Sequence, residues 1–387
     1  MKANVSWSVD ENEEVAGRVC AKKAVIDLVQ TKLCILYSSE KYNTEKLLNG
    51  AKTVLGTAPI IGATSSDGIC IPDGYITSQN GFAGMMCIGD NDTAVGTAIS
   101  EKVSSARETG RIVAKEAMKK VGTEYAPSFF MMIATPGEEE EYLKGIQDII
   151  GNVPVFGGTA SDDEMTGKWK IYNEDRIVSD GVCVAFFYTN KSFANILESR
   201  YHETINSGVI TKVTGKRELD EIEGIQALKQ YAEWTNKKVK DIKGGKILKE
   251  SVFKPLAVKT LDGSLLIIRE PMNGNTDYSI NMGNDVCVNT TIIQAQISKE
   301  ELIASPKLIA RELNEVFKND KAFYIIDHSA LRKQEVEGNI NELARMLKEE
   351  LGDTPFIMPF TFGEYGSKNH SQNLCGSLMI SMTAFGK

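Results

Sequence analysis

Pro59-Ile-Ile-Gly-Ala-Thr-Ser-Ser-Asp67 is answered 95 residues later by Pro154-Val-Phe-Gly-Gly-Thr-Ala-Ser-Asp162. The repetition extends outward. An apolar run precedes each copy, Cys34-Ile-Leu-Tyr-Ser-Ser39 before the first and Phe129-Phe-Met-Met-Ile-Ala134 before the second. A blurred third copy begins at Phe323-Tyr-Ile-Ile-Asp-His328 and runs through Leu351-Gly-Asp-Thr-Pro355, which matches Leu55-Gly-Thr-Ala-Pro59 and Ile150-Gly-Asn-Val-Pro154. A period of that length exceeds the roughly 20 to 50 residues of a solenoid unit. It points to duplicated α/β modules instead.

Each module reads as helix, strand, helix, strand, polar loop and returning strand. In module one, residues 14–29 have helical spacing and 34–38 a strand pattern. Asn43 stands as an N-cap before a helix that Gly56 ends, and 59–62 and 82–88 follow as strands. Module two gives helix 101–121, strand 129–134, helix 138–150 and strands 153–156 and 181–188. The acidic run Glu138-Glu-Glu-Glu141 suits a helix N-terminus. Module three gives helix 299–317, strand 322–327, helix 338–351 and strands 355–360 and 374–383. Residues 190–290 belong to no module. They carry short strand signals at Leu256–Val258, Leu265–Arg269 and Val286–Thr291, with a domain boundary near 220–240. The expected fold class is α/β, with mixed sheets flanked by helices in two domains.

At 387 residues, two or more domains are the default. With 42% hydrophobic and 25% charged residues the chain is globular in composition. A net charge of −8 argues against nucleic acid, whose binding rests on clustered lysine and arginine, and the basic stretch 237–246 reads as a solvated turn. No apolar run nears the roughly 18 residues of a membrane span, and the N-terminus lacks a signal-peptide core, so no membrane association and a cytoplasmic location are expected. The seven cysteines are scattered through apolar runs. They read as reduced core residues, with no disulfide frame and no metal site.

The repeated segments leave a strand and enter a loop, where ligand sites usually sit. At Gly62, Gly157 and Gly158 the missing Cβ permits positive φ or close approach of a ligand. Thr64, Ser65, Ser66, Thr159 and Ser161 add hydroxyls, and Asp67, Asp162 and Asp163 add carboxylates, a rim suited to a small polar molecule. The same residue types also build tight turns, so a purely structural reading stands beside this one. No phosphate-cradling Gly-x-x-x-x-Gly-Lys pattern is present.

These segments, with Ile267-Ile-Arg269-Glu-Pro271, Phe360-Thr-Phe-Gly-Glu-Tyr365, His370 and Asn373-Leu-Cys-Gly-Ser-Leu378, resemble the FIST proteins, named for F-box and intracellular signal transduction. The resemblance spans nearly the whole chain, with an N-terminal half over 1–225 and a C-terminal half over 226–387. It implies a sensory module for small ligands such as amino acids and their derivatives, and some members bind haem. The family's Gly-Glu pattern is kept at Thr361-Phe-Gly363-Glu364, whereas the first half has Asp67-Gly68 in its place. Arg269 fits the family's Arg-x-Pro pattern. It would clamp a ligand carboxylate or pair with a neighbouring acid.

Two rival readings stand beside the sensor. A hydrolase or acyltransferase would set a loop Ser or Thr against His328 or His370, although no nucleophile elbow or metal signature supports it and no catalytic residue is assigned. A haem protein would take His202 or His328 as axial ligand. The leading expectation is a small polar metabolite as ligand, no other cofactor, and a separate signalling output protein as partner, since no output domain is seen in the chain. A homo-oligomer is left open.

Overall fold

The structure, a computed structural model, describes residues 1–317, 320–368 and 372–387. Three modules build it. Module one comprises β1 (Lys2–Ser8), α1 (Glu13–Ala24), β2 (Thr31–Ser38), α2 (Thr44–Leu55), β3 (Ile60–Thr64), the hairpin β4 (Ile69–Ile71) and β5 (Gly74–Ile76), and β6 (Ala83–Gly89). Module two repeats this order with β7 (Ala94–Glu101), α3 (Ala106–Val121), β8 (Phe129–Ala134), α4 (Glu139–Ile150), β9 (Val155–Thr159), the hairpin β10 (Ile171–Asn173) and β11 (Ile177–Val178), and β12 (Gly181–Tyr188).

Module three opens with β13 (Phe193–Glu198) and is then interrupted by a separate body. That body holds β14 (His202–Thr214), β15 (Glu218–Ile222), β16 (Ile225–Gln226), α5 (Ala227–Trp234), α6 (Val239–Ile242), α7 (Ile247–Ser251), β17 (Leu256–Lys259), β18 (Leu266–Arg269), β19 (Pro271–Gly274), β20 (Ile280–Met282) and β21 (Thr291–Gln296). The module resumes with α8 (Lys299–Phe317), β22 (Lys321–Ser329), α9 (Ala330–Glu335), α10 (Ile340–Leu351), β23 (Phe356–Thr361), the hairpin β24 (Glu364–Lys368) and β25 (Gln372–Gly376), and β26 (Ile380–Gly386).

The sheets show how the modules interlock. Their orders are β1-β6-β2-β3-β10-β11, β7-β12-β8-β9-β24-β25 and β13-β26-β22-β23-β4-β5. Each module therefore supplies four strands to its own sheet and lends its hairpin to a neighbour's, in a closed cycle. The parallel pairs β2/β3, β8/β9 and β22/β23 form the middle of the three sheets. Their alternating side chains divide as a strand's period of two requires. One face turns inward, so that Leu33, Ile35 and Tyr37 meet Phe129, Met131 and Ile133 and also Phe323 and Ile325 in one shared core. The other face packs under helices in three separate clusters.

Asn12, Asn43 and Ser105 cap α1, α2 and α3 through their side chains, the local chemistry expected of those residues. The first helix ends at Ala24 rather than Val29, before Asp27 with φ of 56°. The third begins at Ala106 because 94–101 is the first strand of module two. The expected strand over 374–383 is broken at Leu378, where φ is 54°. Residues 193–198, expected to lie outside the modules, pair with β26 as module three's first strand. The last strand of the inserted body lies at 291–296 rather than 286–291. Among the described residues no helix is long and apolar enough to cross a membrane.

Gly62 and Gly157 are not loop bends but mid-strand positions in β3 and β9, facing Tyr172 and Tyr365 of the lent hairpins. A Cβ at either would press on the carbonyl of Leu36 or Met132, far inside the 3.0 Å that real Cβ contacts keep, and at Gly62 on the Tyr172 ring as well. Module three has no glycine at this position, where register places Met358 opposite Cys70. Small residue and large partner have changed sides in the third sheet.

Gly62→Ala and Gly157→Ala should each destabilise the fold by about 2 kcal/mol or more, since a fixed backbone oxygen cannot yield to the added methyl. Gly338→Ala, with open space around it, should lie near wild type. Denaturant unfolding checks both expectations, and equal midpoints for all three variants would contradict this packing.

Candidate functional site

The strand-end loops converge on the axis between the modules and close upon one another. Ser66 N–H donates to Phe360 O at 3.2 Å, Ser161 N–H to Thr64 O at 3.2 Å, and Phe362 N–H to Thr159 O at 3.2 Å. These are equivalent positions bonded in a ring. The hydroxyls expected to line a hollow reinforce it. Ser65 Oγ accepts from Phe360 N and donates to Gly68 O, Ser161 Oγ accepts from Ser66 N, and Thr64 Oγ1 accepts from Lys170 N. Thr159 Oγ1 bonds the Tyr365 hydroxyl, and Gly158 pairs with Glu364 across the strands. Asp162 Oδ2 accepts from Thr166 N and Lys168 N.

Thr361 Oγ1 donates to Glu364 Oε1 at 2.9 Å, and Glu364 Oε2 accepts from Met379 N at 2.9 Å. Burial drives the Glu364 carboxyl well above the ordinary range. Arg269 is half-buried and donates to the Ile268 and Cys375 carbonyls, not to a neighbouring carboxylate. Gly363 leads into β24, and His370 lies outside the described residues.

Beside the ring is a cavity of about 290 Å³ between modules two and three and the inserted body. Module two supplies Pro136, Gly137 and Glu139 at the start of α4, and Met165 and Trp169 ahead of its hairpin. Module three supplies Leu331, Phe362 and Ser377, and the inserted body Arg217, Glu270, Met272, Met282 and Gly283. Trp169 and Phe362 meet edge to face at 6.1 Å. None of the described ligand-site residues proposed from sequence lines this space. Glu270 and Phe362 do, and they are chain neighbours of Arg269 and of Thr361 and Gly363.

The polar groups of the cavity are unevenly satisfied. Arg217 is held by three acids, its Nε donating to Asp285 at 3.1 Å and its Nη2 to Glu139 at 2.7 Å and Glu140 at 2.6 Å. Burial raises the Glu139 carboxyl against the pull of Arg217. Glu270 is 1% exposed, and its carboxyl receives a single long bond from Ser251 Oγ at 3.5 Å. Burial pushes it up to about 8, so it is protonated at neutral pH.

Neither described histidine offers a nitrogen to this cavity. His202 lies on β14, paired with Glu301 at 2.7 Å. His328 is fully buried, burial and Arg332 lower it to about 3, and its Nε2 has no hydrogen-bond partner, so no hydroxyl stands ready for it to activate. The described residues contain no cluster of three or more metal-ligating His, Cys, Asp or Glu side chains. Near the axis, burial raises Asp327 to about 7, where it faces the Tyr37 hydroxyl without a well-formed hydrogen bond.

Fold and cavity together describe a multi-module α/β protein with a cavity bounded by two modules and the inserted body. Residues 32–225 match the FIST N domain and residues 227–367 the FIST C domain. The chain belongs to the FIST family, whose domains are associated with sensory roles in signal transduction. No curated protein matches it.

Because folded Glu270 keeps a proton that the unfolded chain releases near 4.5, its burial costs stability progressively as pH rises from about 4.5 to 8. Glu270→Gln should therefore lose less stability than wild type between pH 5 and pH 8.5. Parallel stability curves from denaturant unfolding across that range would contradict the assignment.

Proposed function

We propose that this chain is a sensory protein of signal transduction that binds a small, amino-acid-like or otherwise polar metabolite in the cavity beside the ring. Occupancy would be passed to a separate output protein. One observation carries the reading: the cavity is bounded by two modules and by the inserted body at once. Its volume is at the lower end of the roughly 300 to 1,000 Å³ usual for small-ligand pockets, and it joins apolar walls to a few polar groups.

The signal follows from the same placement. Arg217 on the inserted body grips Glu139 and Glu140 on α4, so the two bodies meet through one ion-pair cluster at the cavity wall. A ligand touching both bodies favours the arrangement in which its contacts are made, and the population shifts toward it by the difference in affinity. The ring itself supports the frame: its backbone groups bond one another and most of its hydroxyls are engaged, while Ser66 Oγ and Asp162 Oδ1 are buried without a partner.

A thermal-shift and calorimetric panel of amino acids, their derivatives and small polar metabolites tests this. A binding member should raise the unfolding temperature. Trp169→Ala should weaken its affinity tenfold or more, about 1.4 kcal/mol, while Asp67→Asn, at a residue that pairs with Lys333 and does not line the cavity, should leave it unchanged. Binding abolished by Asp67→Asn and untouched by Trp169→Ala would overturn the reading.

A further inference from the structure

The cyclic exchange makes three junctions, each between a segment following the second module strand and the root of a lent hairpin. Two are closed by a lysine and an aspartate. After β2, Lys41 meets Asp163 at 3.2 Å, backed by Lys168 and Glu40 at 3.4 Å. After β22, Lys333, whose side chain is wholly buried, meets Asp67 at 3.2 Å. At the third, after β8, the segment carries Glu139 and the hairpin root is Phe362-Gly363. No lysine–aspartate pair crosses there among the described residues. The cavity opens at this junction.

Resting on the reading of that cavity as the ligand site, we infer that it takes a protonated amine with an apolar body and no carboxylate of its own, the ligand's ammonium standing where lysine stands at the other two junctions. The charges support this. Arg217 is already held by Asp285, Glu139 and Glu140. A ligand carboxylate would meet Glu139 on the cavity wall beside a guanidinium already committed to three acids. An ammonium instead finds Glu139 on one side and Glu270 on the other, with the faces of Trp169 and Phe362 for its body and its charge.

Binding also moves a proton. Glu270 is faced by Ser251 on α7, by Tyr201 and Tyr231, whose hydroxyls are bonded to Val252 O and Lys254 O, by Arg269 preceding it, and by Arg217 and Glu139 across the cavity. An ammonium alongside favours the carboxylate. The neutral acid and the cation become an ion pair, and the acid's proton leaves to solvent, so charge balances. Affinity for an amine should then rise from pH 6 to pH 8.

Calorimetry on the full chain at pH 7, in two buffers of different ionisation heat, tests the inference with 2-phenylethylamine, 2-phenylethanol, 3-phenylpropanoate and phenylalanine. The amine should bind at least tenfold more tightly than the other three and release close to one proton. In Glu270→Gln the release should vanish and the affinity fall about tenfold. Tighter binding of the acid or the amino acid, or amine binding without proton release, would overturn the inference and leave the site standing. Failure of all four to bind, or amine binding that Trp169→Ala does not alter, would overturn the site itself.

Discussion

The architecture depends on the hairpin that each module lends to its neighbour's sheet. A strand edge left open would expose unpaired N–H and C=O groups. The exchange pairs β3, β9 and β23 with another module's chain, so no module is complete without the next. The fit is steric before it is polar. Gly62 leaves room for the Tyr172 ring, whose hydroxyl then bonds Ser38 and the carbonyls of Leu36 and Ala63, and Gly157 lets its strand lie close to the Met132 carbonyl. In the third sheet Met358 stands at the glycine position, opposite Cys70.

With the exchange in place, the loop ends have little freedom. The three backbone bonds of the ring tie positions far apart in sequence, and the buried hydroxyls nearby satisfy groups that would otherwise be costly to bury. Such a centre is stiff and suited to holding three junctions in register. Two of these are sealed by lysine and aspartate, and the third is open, with acids where the others place a base. Insertion of a second body into module three places a further wall over that junction, since Arg217, Glu270, Met272 and Met282 all arrive with it.

Much of this was legible in the sequence, and the limits are physical. Apolar periodicity and the Pro59, Pro154 and Pro355 landmarks located the parallel strand pairs, because each proline carbonyl accepts the bond that sets register, from Cys34, Phe130 and Tyr324. The exchange of hairpins was hidden. It pairs Glu364 with Gly158 across more than 200 residues, and local patterning carries no trace of such a partner. The repeated glycines and hydroxyls stood out because a duplicated frame must repeat them. Trp169, Arg217 and Glu270 did not, because they occur once, at the one junction that differs. The signal that would have found them was the departure from repetition: Glu139 follows its strand where the matching segments of modules one and three carry Lys41 and Lys333.

The central claim is that the third junction is where this protein meets its ligand. A crystal structure of the full chain soaked with 2-phenylethylamine tests it most directly. The account predicts the ring in the cavity against Trp169 and Phe362, with the ammonium within hydrogen-bond reach of the Glu139 and Glu270 carboxyls. Density for the amine at either lysine-sealed junction, or none in the cavity beside Trp169 and Phe362, would contradict it.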